Sequence, residues 1–76
     1  MVYVFFAQGF EELEGLSPVD VLRRAGIAVT TVGVGGREIT GSHGVTITCD
    51  KIDSQVQPEE MEMVVLPGGM PGTTNL

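Results

Sequence analysis

The residues with useful chemistry fall into three groups: a run of carboxylates, two glycine-rich turns, and a lone thiol and imidazole. Glu11, Glu12 and Glu14 stand just after an apolar N-terminal run. A carboxylate facing a cleft can act as general acid or base, whereas Glu11 and Glu12 read more simply as helix-start charge facing the macrodipole. Glu14 sits between Leu13 and Gly15-Leu16, and helical spacing sets it apart from the Glu11 direction. Desolvation there would raise its pKa and keep it protonated, and a protonated carboxyl can donate a hydrogen bond. Gly68 and Gly69 follow an apolar stretch, where bare backbone amides could hold an anion or oxyanion. A turn that merely needs permissive residues is the competing reading. Gly33-Val34-Gly35-Gly36 has Glu38 where a dinucleotide fingerprint needs its third glycine, and it leads away from any helix N-terminus. No phosphate loop of the G-x-x-x-x-G-K-[ST] type is present. Cys49 falls on the apolar side of an alternating stretch and reads as a small core hydrophobe rather than a nucleophile. His43 lies between Ser42 and Gly44, the setting of a solvated turn histidine.

The elements that must position these groups follow from patterning. Val2 to Phe6 is a continuous apolar run bounded by Gly9, which suits a strand covered on both faces in a parallel sheet. Glu11 to Gly26 reads as a helix with glutamates in its first turn, arginines in its last and Gly26 at C′. Pro18, Val21, Leu22 and Ala25 have the spacing of one buried face. Pro18 leaves two readings open. Either the helix starts at Ser17 with proline in its first turn, or one bent helix starts near Glu11; the second is favoured because no stronger turn signal than Gly15 precedes Ser17. Ile27 to Val34 predicts a second strand. Arg37 to Thr40 and Val45 to Cys49, flanking Gly41 to Gly44, predict a hairpin. Asp50 to Met61 suits a loop or short helical turn, and Met63 to Leu66 a third buried strand. The order strand, helix, strand, hairpin, strand opens a doubly wound sheet, in which ligands bind at the carboxyl ends of strands. Ala7 to Glu14 and Pro67 to Gly72 lie at such ends.

At 76 residues the chain holds at most one domain, and such a domain is marginal without staples. One cysteine excludes an intrachain disulfide, and one histidine excludes a clustered His/Cys metal site. A single cysteine with no signal peptide fits a reducing, cytoplasmic setting. The apolar N-terminal run is too short to span a membrane. Ten acids against four bases give a net charge of −6, which argues against nucleic acid and anionic membranes as partners and reads most simply as solubility.

Taken together, the motifs resemble the DJ-one/ThiJ/PfpI superfamily. Gly9-Phe10-Glu11-Glu12-Leu13-Glu14 is similar to its "EGFEE-x-E" opening, the stretch from Ser17 to Gly26 to its "PVDVLRRAG" segment, and Val64 to Gly69 to its "VVLPGG" turn; Asn75-Leu76 also fits. The likeness is strongest to the branch holding the DJ-one protein and its bacterial ThiJ relatives. The resemblance implies a flavodoxin-like α/β fold of somewhat under 200 residues, a homodimer formed through the first helix and hairpin, and a bent helix from about Glu11. It implies a site in which Glu14, protonated, shares its proton with an elbow cysteine, while the amides of Gly68 and Gly69 form an oxyanion pocket. No metal or cofactor is implied. Glu11 and His43 would face the partner subunit, although His43 replaces an arginine frequent in the family. The elbow cysteine and its histidine would lie C-terminal to residue 76, and Cys49 does not align with that cysteine. The chain is therefore expected to be the N-terminal part of one domain, needing a C-terminal remainder, since three buried strands and one helix cannot cover both faces of a parallel sheet. The implied activity is glyoxalase- or deglycase-like turnover of small reactive carbonyls. A redox-sensing or chaperone-like stress protein is the alternative, and thiazole monophosphate biosynthesis a weaker one.

Overall fold

The computed structural model describes residues 1–56 and 63–66. Strand β1 (Val2–Phe6) leads into helix α1 (Glu12–Arg24), then β2 (Val29–Gly33), β3 (Glu38–Thr40), β4 (Thr46–Thr48), β5 (Lys51–Ile52) and β6 (Met63–Val65). A 3₁₀ turn at Asp53–Gln55 follows β5. The strands β5, β2, β1 and β6 form one parallel sheet in that order, with β1 central. The strands β3 and β4 pair antiparallel as the expected hairpin, Ile39 opposite Ile47. The chain is thus α/β, with a parallel sheet and a helix lying against β1 and β2.

The central position of β1 explains its unbroken apolar sequence. Val4 and Phe6 are fully buried and Tyr3 nearly so, because both pleat faces of a middle strand meet other elements. Helix α1 spans Pro18, as the bent-helix reading requires; the alternative start at Ser17 is not adopted. Proline lacks an amide hydrogen, so the carbonyl of Glu14 loses its usual partner four residues on. The helix closes in a Schellman arrangement. Gly26, at φ +80°, donates to Arg23 O at 3.1 Å and Ile27 donates to Leu22 O at 3.0 Å.

Three sequence expectations are corrected. The face of α1 turned to the core is Gly15, Val19 and Leu22, not Pro18, Val21, Leu22 and Ala25; Val21 and Ala25 are exposed. The absence of a side chain at Gly15 decides this, because the rings of Phe6 and Phe10 occupy the space a Cβ would take. Second, Asp50 to Met61 suits a loop or short helical turn by sequence, and the 3₁₀ turn at Asp53–Gln55 fits that, but Lys51–Ile52 forms β5 beside β2. Two residues are too few to show periodicity, and their strand conformation comes from the neighbour they pair with. Third, Met63 to Leu66 was expected to be a buried strand, but among the described residues β6 is an edge, with Val64 and Leu66 exposed.

The loop joining β1 to α1 is bound to the hairpin. Gly9 N donates to Thr40 O at 2.8 Å, and Ser42 N donates to Phe10 O at 2.8 Å. The Gln8 amide bridges the same strand, accepting from Thr40 N at 2.9 Å and donating to Glu38 O at 3.2 Å. Backbone and side chain together therefore hold the start of α1 against β3 and its turn.

Candidate functional site

The carboxylates at the start of α1 have three different roles. Glu11 is the N-cap, its Oε1 accepting from Leu13 N at 2.6 Å; one of the helix's orphan amides is satisfied this way. Glu12 turns away from its own helix. Its Oε2 accepts from the backbone amides of His43 at 2.8 Å and Val45 at 3.2 Å, and its Oε1 lies 2.9 Å from His43 Nδ1. Gly41 makes this approach possible, since a Cβ there would run into the Glu12 carboxylate. Glu12 is thus a clamp joining α1 to the β3–β4 turn, and not a solvated helix-start charge as the sequence suggested.

Electrostatics follow that geometry. Desolvation opposes ionisation of Glu12, but the His43 imidazole and the amides of Val45 and His43 outweigh it and hold its pKa at about 2. The bond to Glu12 and that residue's charge raise the pKa of His43. His43 keeps its ring largely in solvent, as a turn histidine should, yet it has the acidic neighbour that sequence spacing concealed. Glu12 and His43 are 31 residues apart, and only the hairpin's return onto α1 joins them.

Glu14 is exposed. The water-excluded setting expected for it is not built by the described residues, because it projects from the helix away from the face that Gly15 and Val19 present to the core. Gly68 and Gly69 lie outside the described residues, as do Pro67 and Met70 beside them. What is described is the framework: β1 and β6 run parallel in register, Val4 opposite Val65. Their carboxyl ends therefore share one edge of the sheet, with five residues between the end of β1 and the start of α1.

Cys49 is buried and free, as a core hydrophobe should be. Burial raises its thiol pKa, the charge of Asp50 adds to this, and a hydrogen bond with Thr31 and the charge of Arg37 work the other way. A thiol so protonated and enclosed is a poor nucleophile. Beside it, Asp50 Oδ2 accepts from Thr31 N at 3.0 Å and from Arg23 Nη2 at 2.9 Å, and Arg23 also reaches Val29 O at 3.1 Å. This network fastens the end of α1 to β2 and to the segment entering β5. No helix among the described residues is long and apolar enough to cross a membrane.

Ligand-type atoms of Glu11, Glu12 and His43 all lie within 4.8 Å of one another, a grouping of carboxylates around one histidine.

Comparison with known proteins gives a consistent answer. The model of the DJ-1/PfpI family matches residues 1–76. The chain is 44% identical over 75 residues to the Parkinson disease protein 7 homolog of Danio rerio, covering 96% of this chain and 40% of that protein. It is 37% identical over 68 residues to a deglycase of Thermococcus kodakarensis, covering 90% and 41%. Among solved structures, the oxidized DJ-1 of Toxoplasma gondii superposes with a TM-score of 0.92 at 37% identity, covering 97% of this chain and 41% of that one. Drosophila melanogaster DJ-1beta gives 0.91 at 42%, covering 96% and 40%. The chain spans about two fifths of the length of these relatives.

Proposed function

The chain belongs to the DJ-1/PfpI family, and on that premise we propose that it supplies the glutamate and oxyanion-binding half of a cofactor-free, cysteine-dependent site acting on small reactive carbonyls. In this reading the sulfur comes from polypeptide C-terminal to residue 76, as does the layer that encloses Glu14. Glu14 then shares its proton with the thiolate, and the amides of Gly68 and Gly69 hold the oxyanion that forms when sulfur adds to the carbonyl carbon. Water is added overall, turning methylglyoxal into lactate. The complete protein acts in the cytoplasm as a homodimer formed through α1 and the hairpin.

The parallel register of β1 with β6 is the observation that carries the reading. It sets the start of α1 and the chain leaving β6, two residues before Gly68, on one sheet edge, which is where open α/β sheets bind ligands. The deglycase among the relatives supports the substrate class. The test is lactate production from methylglyoxal by the complete protein. Glu14→Ala should abolish turnover with the fold intact, while Glu14→Gln, which can still donate a hydrogen bond, should retain part of it. Unchanged turnover in Glu14→Ala would remove that residue from the mechanism.

A relative solved in an oxidized state favours a second reading, redox sensing through a sulfinate on the same cysteine, stabilised by Glu14. Peroxide titration followed by intact mass separates the two, since a sensor oxidises selectively and turns over no carbonyl.

A further inference from the structure

We propose that Glu12 is a positioning residue for Glu14: by gripping the β3–β4 turn it fixes the roll of the first turn of α1, and so the direction in which Glu14 points. The role rests on the reading of Glu14 beside a cysteine C-terminal to residue 76, and it adds what holds that carboxyl in place.

Helix α1 is weakly tied to itself near Glu14. Pro18 has no amide hydrogen, so the carbonyl of Glu14 lacks the helical bond that would brace it against the next turn. On the core side, Gly15 meets the rings of Phe6 and Phe10 with no side chain of its own. Apolar contact is non-directional, so bare backbone lying on two rings sets how close the helix comes but holds its roll poorly.

The directional bonds are made at Glu12. Its Oε2 accepts from the amides of His43 at 2.8 Å and Val45 at 3.2 Å, and its Oε1 meets His43 Nδ1 at 2.9 Å. The Glu12 side chain is only 12% exposed. The turn it grips is itself anchored, since Gly9 N donates to Thr40 O and Ser42 N donates to Phe10 O. At 3.6 residues per turn, side chains two positions apart point about 200° from each other round the axis. Glu12 and Glu14 therefore stand on opposite flanks of the helix. With Glu12 held, a roll that swings Glu14 must break hydrogen bonds to a charged acceptor, which are stronger than neutral ones.

The experiment follows ionisation of the C-terminal cysteine in the complete protein, by thiolate absorbance against pH, together with turnover of methylglyoxal. A hydrogen bond from Glu14 stabilises the thiolate, so displacing Glu14 moves that ionisation to higher pH. Glu12→Ala should shift it upward by about one pH unit. It should lower kcat by up to about 100-fold with KM little changed, the effect of a misplacement near 1 Å. Gly41→Ala pushes the Glu12 carboxylate off the turn from the other side and should give the same shift. Glu12→Gln keeps an acceptor for both amides and should fall between Glu12→Ala and the parent. Asp50→Asn loosens the far end of α1 and should lower stability without moving the titration. Added to Glu14→Ala, Glu12→Ala should shift it no further, because Glu12 acts through Glu14. A parent-like titration in Glu12→Ala, an equal shift in Asp50→Asn, or a further shift in the double variant would each overturn the positioning role alone. A parent-like titration in Glu14→Ala would remove the proposed role of Glu14 itself, and the positioning role with it.

Discussion

Gly15→Ala sets two physical terms of similar size against each other. On an isolated helix, alanine is better than glycine by about 1 kcal/mol. Here a Cβ would stand 2.6 Å from Phe6 Cε1 and 2.9 Å from Phe10 Cδ2, whereas carbon atoms attract at about 3.5–4.0 Å. Neither ring has room to retreat. Both are fully buried, and they meet edge to face at 4.8 Å between centroids. Overpacking of this kind costs about 1–3 kcal/mol, so the clash outweighs the propensity gain and a net loss of about 1 kcal/mol is expected. In the complete protein, with a urea slope of about 1–3 kcal/mol/M, the midpoint should fall by about 0.3–1 M. Ser17→Ala, at an exposed position of the same helix, reports propensity alone and should raise the midpoint slightly. Equilibrium urea unfolding followed by far-UV circular dichroism reads both. If Gly15→Ala matches or exceeds the parent, α1 does not rest on the two rings as described. The placement of Glu14, one residue earlier, would then be wrong with it.

Other expectations follow from the same contacts. Glu12→Gln keeps the side chain's shape but loses its charge, so the amides of His43 and Val45 should exchange hydrogen faster than in the parent, while those of β1 stay as slow; exchange at His43 and Val45 unchanged from the parent would deny the clamp. Gly41→Ala forces the Glu12 carboxylate off the turn and should reproduce the exchange pattern of Glu12→Gln. For Asp50, desolvation is outweighed by the Thr31 backbone and hydroxyl and by Arg23, which lower its pKa. A lowered pKa in the folded state contributes stability that is present above the ordinary aspartate value of about 3.9 and is lost as pH falls through the folded value. Between pH 5 and 2 the urea midpoint of the parent should therefore fall more steeply than that of Asp50→Asn, and parallel curves would show that the network carries no proton linkage.

Several features were legible in the sequence because they depend on local chemistry. The apolar run of β1, the Schellman glycine at 26, the hairpin around Gly41 to Gly44 and the core identity of Cys49 each follow from a few adjacent residue types. The family, too, could be read from local motifs: the resemblance drawn from Gly9 to Glu14, Ser17 to Gly26 and Val64 to Gly69 agrees with the family match over residues 1–76.

Tertiary structure alone decided the rest. Helical spacing gives a periodicity but not which side of α1 meets the sheet; the rings of Phe6 and Phe10 over Gly15 made that choice. Strand β5 has too few residues to carry a pattern and exists because β2 offers it hydrogen bonds. The three glutamates look equivalent in the chain. They became a cap, a clamp and an exposed carboxylate because one hairpin folds back to bring His43 beside Glu12. Sequence order fixes which groups are available to a site, but the meeting of residues 31 positions apart depends on packing energies distributed over the whole fold.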